Sequence, residues 1–165
     1  SYVQTPVEAA HLLAAGRATT AVLSEPPATA AMMLAAKEGH TLRRAFELTT
    51  IWGRHKGKAR IPMAGIALHA SLLDEAPELI AALRAGLPAA KQQVISNPTA
   101  AAKLAESRME MRAPVFEKAF PFLHIDLVSA KAAQAELQDF YQTLLDLDPN
   151  ALGGKLPPDD FYLEL

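Results

Sequence analysis

Two consecutive prolines, Pro26 and Pro27, place the strictest limit on how this chain can fold. Proline fixes φ and donates no backbone hydrogen bond, so a strand that reaches the pair must stop there. Residues 19–23 are small, β-branched or aliphatic, which is typical of a strand inside a sheet. The pattern therefore predicts a strand at 19–23 that ends in Ser24 and Glu25. Ligands bind beyond such strand ends in open α/β sheets, and a cap on the next helix is an equally supported role for Glu25.

The rest of the chain predicts alternating elements followed by helices. Thr5 and Pro6 are typical of a helix start, and Gly16 is a suitable left-handed end for that helix. Further strands are predicted at 2–4 (a tail), 42–49 and 65–70, and Pro88 should kink or break a helix that begins after Asp74. The remaining predicted helices cover 28–37, 98–106 and 114–120, and a long helix capped by Ser129.

Composition excludes several classes of function. The chain has 165 residues, half of them hydrophobic, which predicts a globular protein with a core. A net charge of -2 gives no general attraction to nucleic acid or to anionic membranes. The absence of cysteine excludes disulfides, zinc–thiolate sites and cysteine nucleophiles. The sequence contains no run of 18 apolar residues, so no membrane span is predicted, and no signal peptide is visible at the first residues.

Motifs for catalysis and metal binding are weak. Glu8 and His11 form one E-x-x-H on a helix, whereas a di-iron site needs two such motifs and further glutamates. Ser24 has no G-x-S-x-G surround, and the chain has no phosphate-binding loop and no dinucleotide fingerprint. We therefore expect no enzyme activity, no cofactor and no metal.

A basic cluster follows the only tryptophan of the chain. A solvated loop over 52–60 is favoured for this cluster, and an anion-binding or partner-docking patch is the alternative. Trp52 could stack on a flat ligand at the edge of the cluster, although core packing is the more common role. The cluster comprises Arg54, His55, Lys56, Lys58 and Arg60.

Five groups of motifs, in this order and spacing, resemble one known family. They are Pro6–Ala10 with Leu13, Gly16 and 21–26; 62–68; 72–79; Asn97-Pro98 with 100–105; and 152–157 with Phe161-Tyr162. Together they resemble the ABC-transporter solute-binding proteins of the nitrate, sulfonate, taurine and thiamine-precursor group, and the resemblance covers nearly the whole chain. It implies an α/β fold, a partial type II periplasmic-binding-protein fold with three-layer α/β/α lobes and a helix-rich C-terminal part.

The resemblance also implies how the chain is divided. Only the C-terminal half of such a protein is matched. Residues 1–58 would be the remainder of the second lobe, and 59–165 would return to the first lobe and add the C-terminal helices. Such a piece exposes apolar faces, so we expect either an excised fragment or self-association.

The function implied by the resemblance is binding without chemistry. The chain would be the substrate-binding component of an ABC importer, periplasmic or lipid-tethered, that captures a small solute in an inter-lobe cleft and delivers it to an ABC permease. A thiamine-pyrimidine-synthase-like enzyme and the ligand-sensing domain of a transcription regulator are the alternatives. The resemblance places most of the ligand-binding residues, and Trp52 is added from its position beside the basic cluster. The full set is Gln4, Thr5, Ser24, Glu25, Pro26, Trp52, Met63 and Gly65.

Overall fold

The computed structural model describes residues 2–62 and 64–164, and 59% of them lie in helices. The α-helices are α1 (Pro6–Ala14), α2 (Pro27–Lys37), α3 (Leu48–Lys56), α4 (Leu72–Glu75), α5 (Pro77–Ser96), α6 (Pro98–Met109), α7 (Ala113–Ala119) and α8 (Gln134–Leu147). Short 3₁₀ helices cover Phe120–Phe122, Pro149–Leu152 and Asp159–Phe161. None of the helices in these residues is long and apolar enough to cross a bilayer.

No strand occurs among the described residues, so the predicted three-layer α/β/α fold is wrong. The segments predicted as strands at 2–4, 19–23, 42–47 and 65–69 carry no regular structure, and α3 already begins at residue 48. Their composition suits a pleated, half-buried surface, but a strand exists only where a second strand accepts and donates its backbone hydrogen bonds. No such ladder is present within the described chain.

The chain divides into two compact units. The first unit comprises Ser1–Ala45 and Ala90–Ile125, and the second comprises Phe46–Ala89 and Asp126–Leu165. Both units are therefore discontinuous in sequence. The predicted lobe boundary after residue 58 stays a prediction.

The first unit is built from α1, α2, α6 and α7, packed through small side chains. Helix α1 lies against α2, α2 contacts α7, and α6 contacts α7. Alanine allows helix axes to approach closely, so the interior contains few large side chains. The buried alanines of these helices are Ala9, Ala10, Ala14, Ala31, Ala35, Ala102, Ala105 and Ala119.

Two helix starts of the first unit confirm their predictions. The hydroxyl of Thr5 accepts a hydrogen bond from the Glu8 amide at 3.1 Å, and Pro6 opens α1. The side chain of Asn97 likewise accepts from the Ala100 amide at 3.1 Å at the start of α6. Each cap satisfies an amide that the first helical turn leaves without a partner, so these sequences define their helix boundaries locally.

The second unit contains α3, α4, α8 and α5 as far as Ala89. Its C-terminal tail docks on this unit, because the Gln134 side chain donates to Asp159 at 2.7 Å and Tyr162 is only 3% exposed. Burial raises the pKa of the Tyr162 hydroxyl, and nearby Gln138 lowers it only slightly. Within the described residues this hydroxyl meets no partner with hydrogen-bond geometry.

Three further predictions fail in or beside this unit. Residues 52–56 belong to helix α3 rather than to a loop, and Gly53 is needed there because a Cβ would lie 2.7 Å from the Ala59 Cα. Helix α5 continues through Pro88 without the predicted break, because the proline ring is exposed and the missing amide removes only one bond of a 20-residue helix, whereas the alternative of a kink stays a prediction. Helix α8 begins at Gln134, because the Ser129 hydroxyl caps a preceding turn by accepting from the Ala132 amide.

Candidate functional site

The candidate site is built around the start of helix α2. Pro26 occupies the cap position and offers no side-chain hydrogen bond, so the helix end lacks an ordinary cap. The Glu25 carboxylate fills that role. One of its oxygens, Oε2, accepts from the Thr29 amide at 3.1 Å and from the Thr29 hydroxyl at 2.7 Å. A carboxylate is favourable at this position because the N-terminal end of a helix carries partial positive charge.

Arg44 completes the cluster from the irregular segment before α3. Its Nε donates to Glu25 Oε1 at 3.0 Å, and its Nη2 donates to the same oxygen in a short ion pair. Nη2 also donates to the Thr29 hydroxyl at 2.8 Å. The guanidinium lies 3.6 Å from the ring centroid of Phe122, which adds a cation–π contact. The Glu25 and Arg44 side chains are 11% and 27% exposed, so the pair is largely shielded from water.

This arrangement determines what the cluster can do chemically. Both carboxylate oxygens of Glu25 are engaged, and the Arg44 charge is neutralised by Glu25 and covered on one face by Phe122. The contacts fix the start of α2 and attach residue 44 to the first unit. The helix-cap alternative therefore describes what Glu25 does here, and direct contact with a ligand stays a prediction.

The other predicted residues of the first unit are more exposed. Gln4 is exposed, and its backbone amide donates to the Glu8 carboxylate at 3.0 Å. Thr5 is occupied as the cap of α1. Ser24 is exposed, and its carbonyl accepts from the Ala28 amide at 3.0 Å. Pro26 is half-buried and follows a cis peptide bond. Within the described chain, the side chains of Gln4 and Ser24 make no hydrogen bond that would keep them from a ligand.

The basic cluster of the second unit pairs with acidic residues of helix α8. Lys56 Nζ lies 2.9 Å from Asp139 Oδ1, and Arg60 Nε donates to Glu136 Oε1 at 2.9 Å. Lys58 Nζ lies 4.0 Å from the same glutamate. The hydrogen bond from Arg60 lowers the pKa of the Glu136 carboxyl and raises that of the guanidinium. Three of the five cations thus have intramolecular partners, which leaves less charge for an anionic ligand than the sequence suggests.

Trp52 serves mainly in packing. Its ring meets the edge of Phe140 with centroids 5.7 Å apart, and Lys56 Nζ lies 5.5 Å from the indole. Gly65 is exposed, and a Cβ placed there would contact nothing within 4 Å. Met63 lies outside the described residues. The predicted site residues therefore belong to different units: Gln4, Thr5, Ser24, Glu25 and Pro26 to the first, Trp52 and Gly65 to the second.

Small open grooves occur in both units among the described residues. In the first unit, a groove of about 80 Å³ runs between α1 and α2 and is lined by Val7, His11, Pro27 and Leu34 among others. In the second, a groove of about 370 Å³ on α5 is lined mostly by apolar side chains, with Arg84 at its edge. The Arg84 guanidinium donates to the Glu164 carbonyl at 2.9 Å. No group of three or more potential metal ligands occurs in the described part of the chain.

Sequence reasoning missed the partners of Glu25 and of the basic cluster. Arg44 lies 19 residues beyond Glu25, and Glu136 lies 76 residues beyond Arg60. Opposite charges at such separations carry no local signal, whereas Thr29, four residues after Glu25, could have been recognised as the receiver of a cap. No protein-family model, curated protein or solved structure matches this chain.

Proposed function

We propose that this chain belongs to the solute-binding component of an ABC importer, which captures a small molecule and delivers it to a membrane permease. The observation that carries the proposal is the ordered series of motifs from Pro6–Ala10 to Phe161-Tyr162. Two of these motifs, Pro6–Ala10 and Asn97-Pro98, lie at the starts of helices α1 and α6, which supports treating them as structural signatures. Binding needs no catalytic group and no cofactor, in line with the weak catalytic motifs of the sequence.

Residue roles in this proposal follow from which side chains are free to act. Ser24 offers an exposed hydroxyl two residues before the first proline, and Gln4 offers an exposed amide. Glu25 acts as a positioning residue, because Thr29 and Arg44 hold its carboxylate and thereby fix the backbone beside Ser24. The charge of the solute is left open, because both Glu25 and most of the basic cluster are paired internally.

A thermal-stability screen tests the proposal on the 165-residue chain. The solutes are nitrate, taurine, a short alkanesulfonate and a thiamine-precursor pyrimidine, with sodium chloride at equal ionic strength as the reference. A ligand present at 100 times its dissociation constant stabilises the native state by about 2.7 kcal/mol. For a chain of this length that corresponds to a rise in Tm of about 5–10 °C.

Two serine variants make the screen specific. Ser24→Ala removes the exposed hydroxyl at the proposed site and should weaken binding, as measured by calorimetry. Ser107→Ala is the matched control, because this serine is exposed on α6 and its hydroxyl donates only to the Leu104 carbonyl among the described residues. Saturable binding that both variants weaken equally would place the solute elsewhere. The proposal fails if none of the solutes raises Tm above the salt reference.

A further inference from the structure

The groove on helix α5 is formed by one face of that helix and by α4. Its lining on α5 recurs at the i, i+3, i+4, i+7 spacing that places residues on one side of a helix. Ile80 is 8% exposed, and Leu73 of α4, 44% exposed, adds a second apolar side chain. Ala81 and Ala85 leave a depression because alanine fills little space above the helix. The complete lining is Leu73, Pro77, Ile80, Ala81, Arg84 and Ala85.

The volume of this groove sets the size of the molecule that it can hold. It measures about 370 Å³, which lies within the usual range of small-molecule sites. At roughly 30 Å³ for each non-hydrogen atom, the share of one water molecule in the liquid, the groove accommodates about 12 such atoms. Small-molecule sites are mostly apolar and contain a few polar groups that orient the ligand. The groove has this composition, with Arg84 as its charged residue.

Arg84 determines the charge of the ligand that fits. Its Nη2 donates to the Glu164 carbonyl at 2.9 Å, which holds the guanidinium beside the groove and leaves its other N–H groups without a partner in the described chain. No carboxylate of the described residues forms an ion pair with it. The acidic residues of α4 and α5 lie outside the lining. The groove therefore combines apolar walls with a cation that no anion neutralises.

We propose that this groove binds a single-chain organic anion of about 10–12 non-hydrogen atoms, a medium-chain carboxylate, with its head on Arg84 and its alkyl chain against Leu73 and Ile80. The guanidinium fork matches the two oxygens of a carboxylate. A neutral molecule would leave the cation unpaired, and an inorganic anion would leave the apolar walls uncovered. This inference is independent of the proposed transport function, because the groove lies in the second unit and uses none of the residues assigned to the solute there.

Isothermal titration calorimetry with octanoate tests the proposal on the 165-residue chain. We expect saturable binding with a dissociation constant of about 0.1–1 mM, because an open groove gives little binding energy per ligand atom. 1-Octanol has the same chain without the charge and should bind at least about tenfold more weakly. Acetate has the head without the chain and should not reach saturation. In NMR spectra, octanoate should shift the amide signals of residues 73–85.

Two variants alter the groove, and a third is the matched control. Arg84→Gln removes the cation and Ala85→Leu fills the depression with a good helix former, so each should raise the octanoate dissociation constant at least about tenfold. Arg108→Gln removes the same charge from an exposed position on α6 in the first unit and should leave binding unchanged. Far-UV circular dichroism verifies that the variants keep their helices. The proposal is overturned if octanoate does not saturate, if 1-octanol binds as tightly, or if Arg84→Gln and Arg108→Gln weaken binding equally.

Discussion

Removing Arg44 should destabilise the protein more than removing any other single ion-pairing side chain described above. Arg44→Ala deletes two donors to Glu25, one donor to Thr29 and the stacking on Phe122. The Glu25 carboxylate, 11% exposed, would lose its cationic partner and two of its hydrogen bonds. Breaking a fully buried pair costs about 3–5 kcal/mol; because Arg44 is 27% exposed, we expect about 2–3 kcal/mol.

Urea unfolding followed by circular dichroism measures this loss. With a typical slope for a small protein, 2–3 kcal/mol lowers the midpoint by about 1–2 M urea. Arg60→Ala is the matched control, because Arg60 also pairs with a glutamate but its side chain is 48% exposed. Water screens that pair, so the control should lose much less stability. If both variants unfold at the same urea concentration, the cluster around Glu25 does not hold the first unit as described.

Four further substitutions have contrasting outcomes in the same unfolding assay. Gly53→Ala should lower the free energy of unfolding by about 1–3 kcal/mol, because the added Cβ would overlap backbone atoms. Gly86→Ala has open space around it and should raise the free energy of unfolding by about 0.5–1 kcal/mol through helix propensity. Equal effects of the two substitutions would refute the close approach at Gly53. The hydrogen bond from Arg60 lowers the Glu136 pKa. The stability that this pair contributes is therefore complete above the ordinary pKa of 4.5, and it is lost as the pH falls through the lowered pKa of the folded state. Glu136→Gln should therefore flatten the acid side of the stability profile, and an unchanged profile would contradict this. Tyr162→Phe removes a buried hydroxyl that lacks a partner among the described residues, so the free energy of unfolding should rise by up to about 1 kcal/mol. A lower free energy of unfolding in this variant would contradict the absence of a hydrogen bond.

Helix boundaries were predictable where a cap is encoded within a few residues. Thr5-Pro6 and Asn97-Pro98 begin helices as expected because the cap, the proline and the receiving amide lie within four positions of one another. Gly16 likewise takes a left-handed φ of 67° just beyond α1. The sequence signal is local in these cases because the capping interactions join residues that are close in sequence.

Strands and site partners were not predictable because they depend on distant groups. The pattern at 65–70 describes a surface that could pair, but pairing needs a second strand, and no strand is found in the described chain. Residues 52–56 form a helix although the sequence there is basic and contains Gly53. Glycine is favoured at position 53 because a Cβ there would be too close to the backbone of Ala59. For Glu25, the sequence indicated a cap or a ligand contact, and the hydrogen bonds from Thr29 and from Arg44 in a separate segment show that both carboxylate oxygens are occupied.

The discontinuity of both units affects how the chain matures during its synthesis. Arg44 stacks on Phe122, and Lys56 pairs with Asp139, so each unit closes a contact across more than 70 residues. Such closures fold slowly, because the intervening chain must be confined before the contact forms. When synthesis has reached residue 100, α1 to α5 are present, yet neither unit has its second segment complete. The ribosome therefore presents two unfinished apolar cores at once, which makes the elongating polypeptide a client for chaperones until the segment from Asp126 onward has been added.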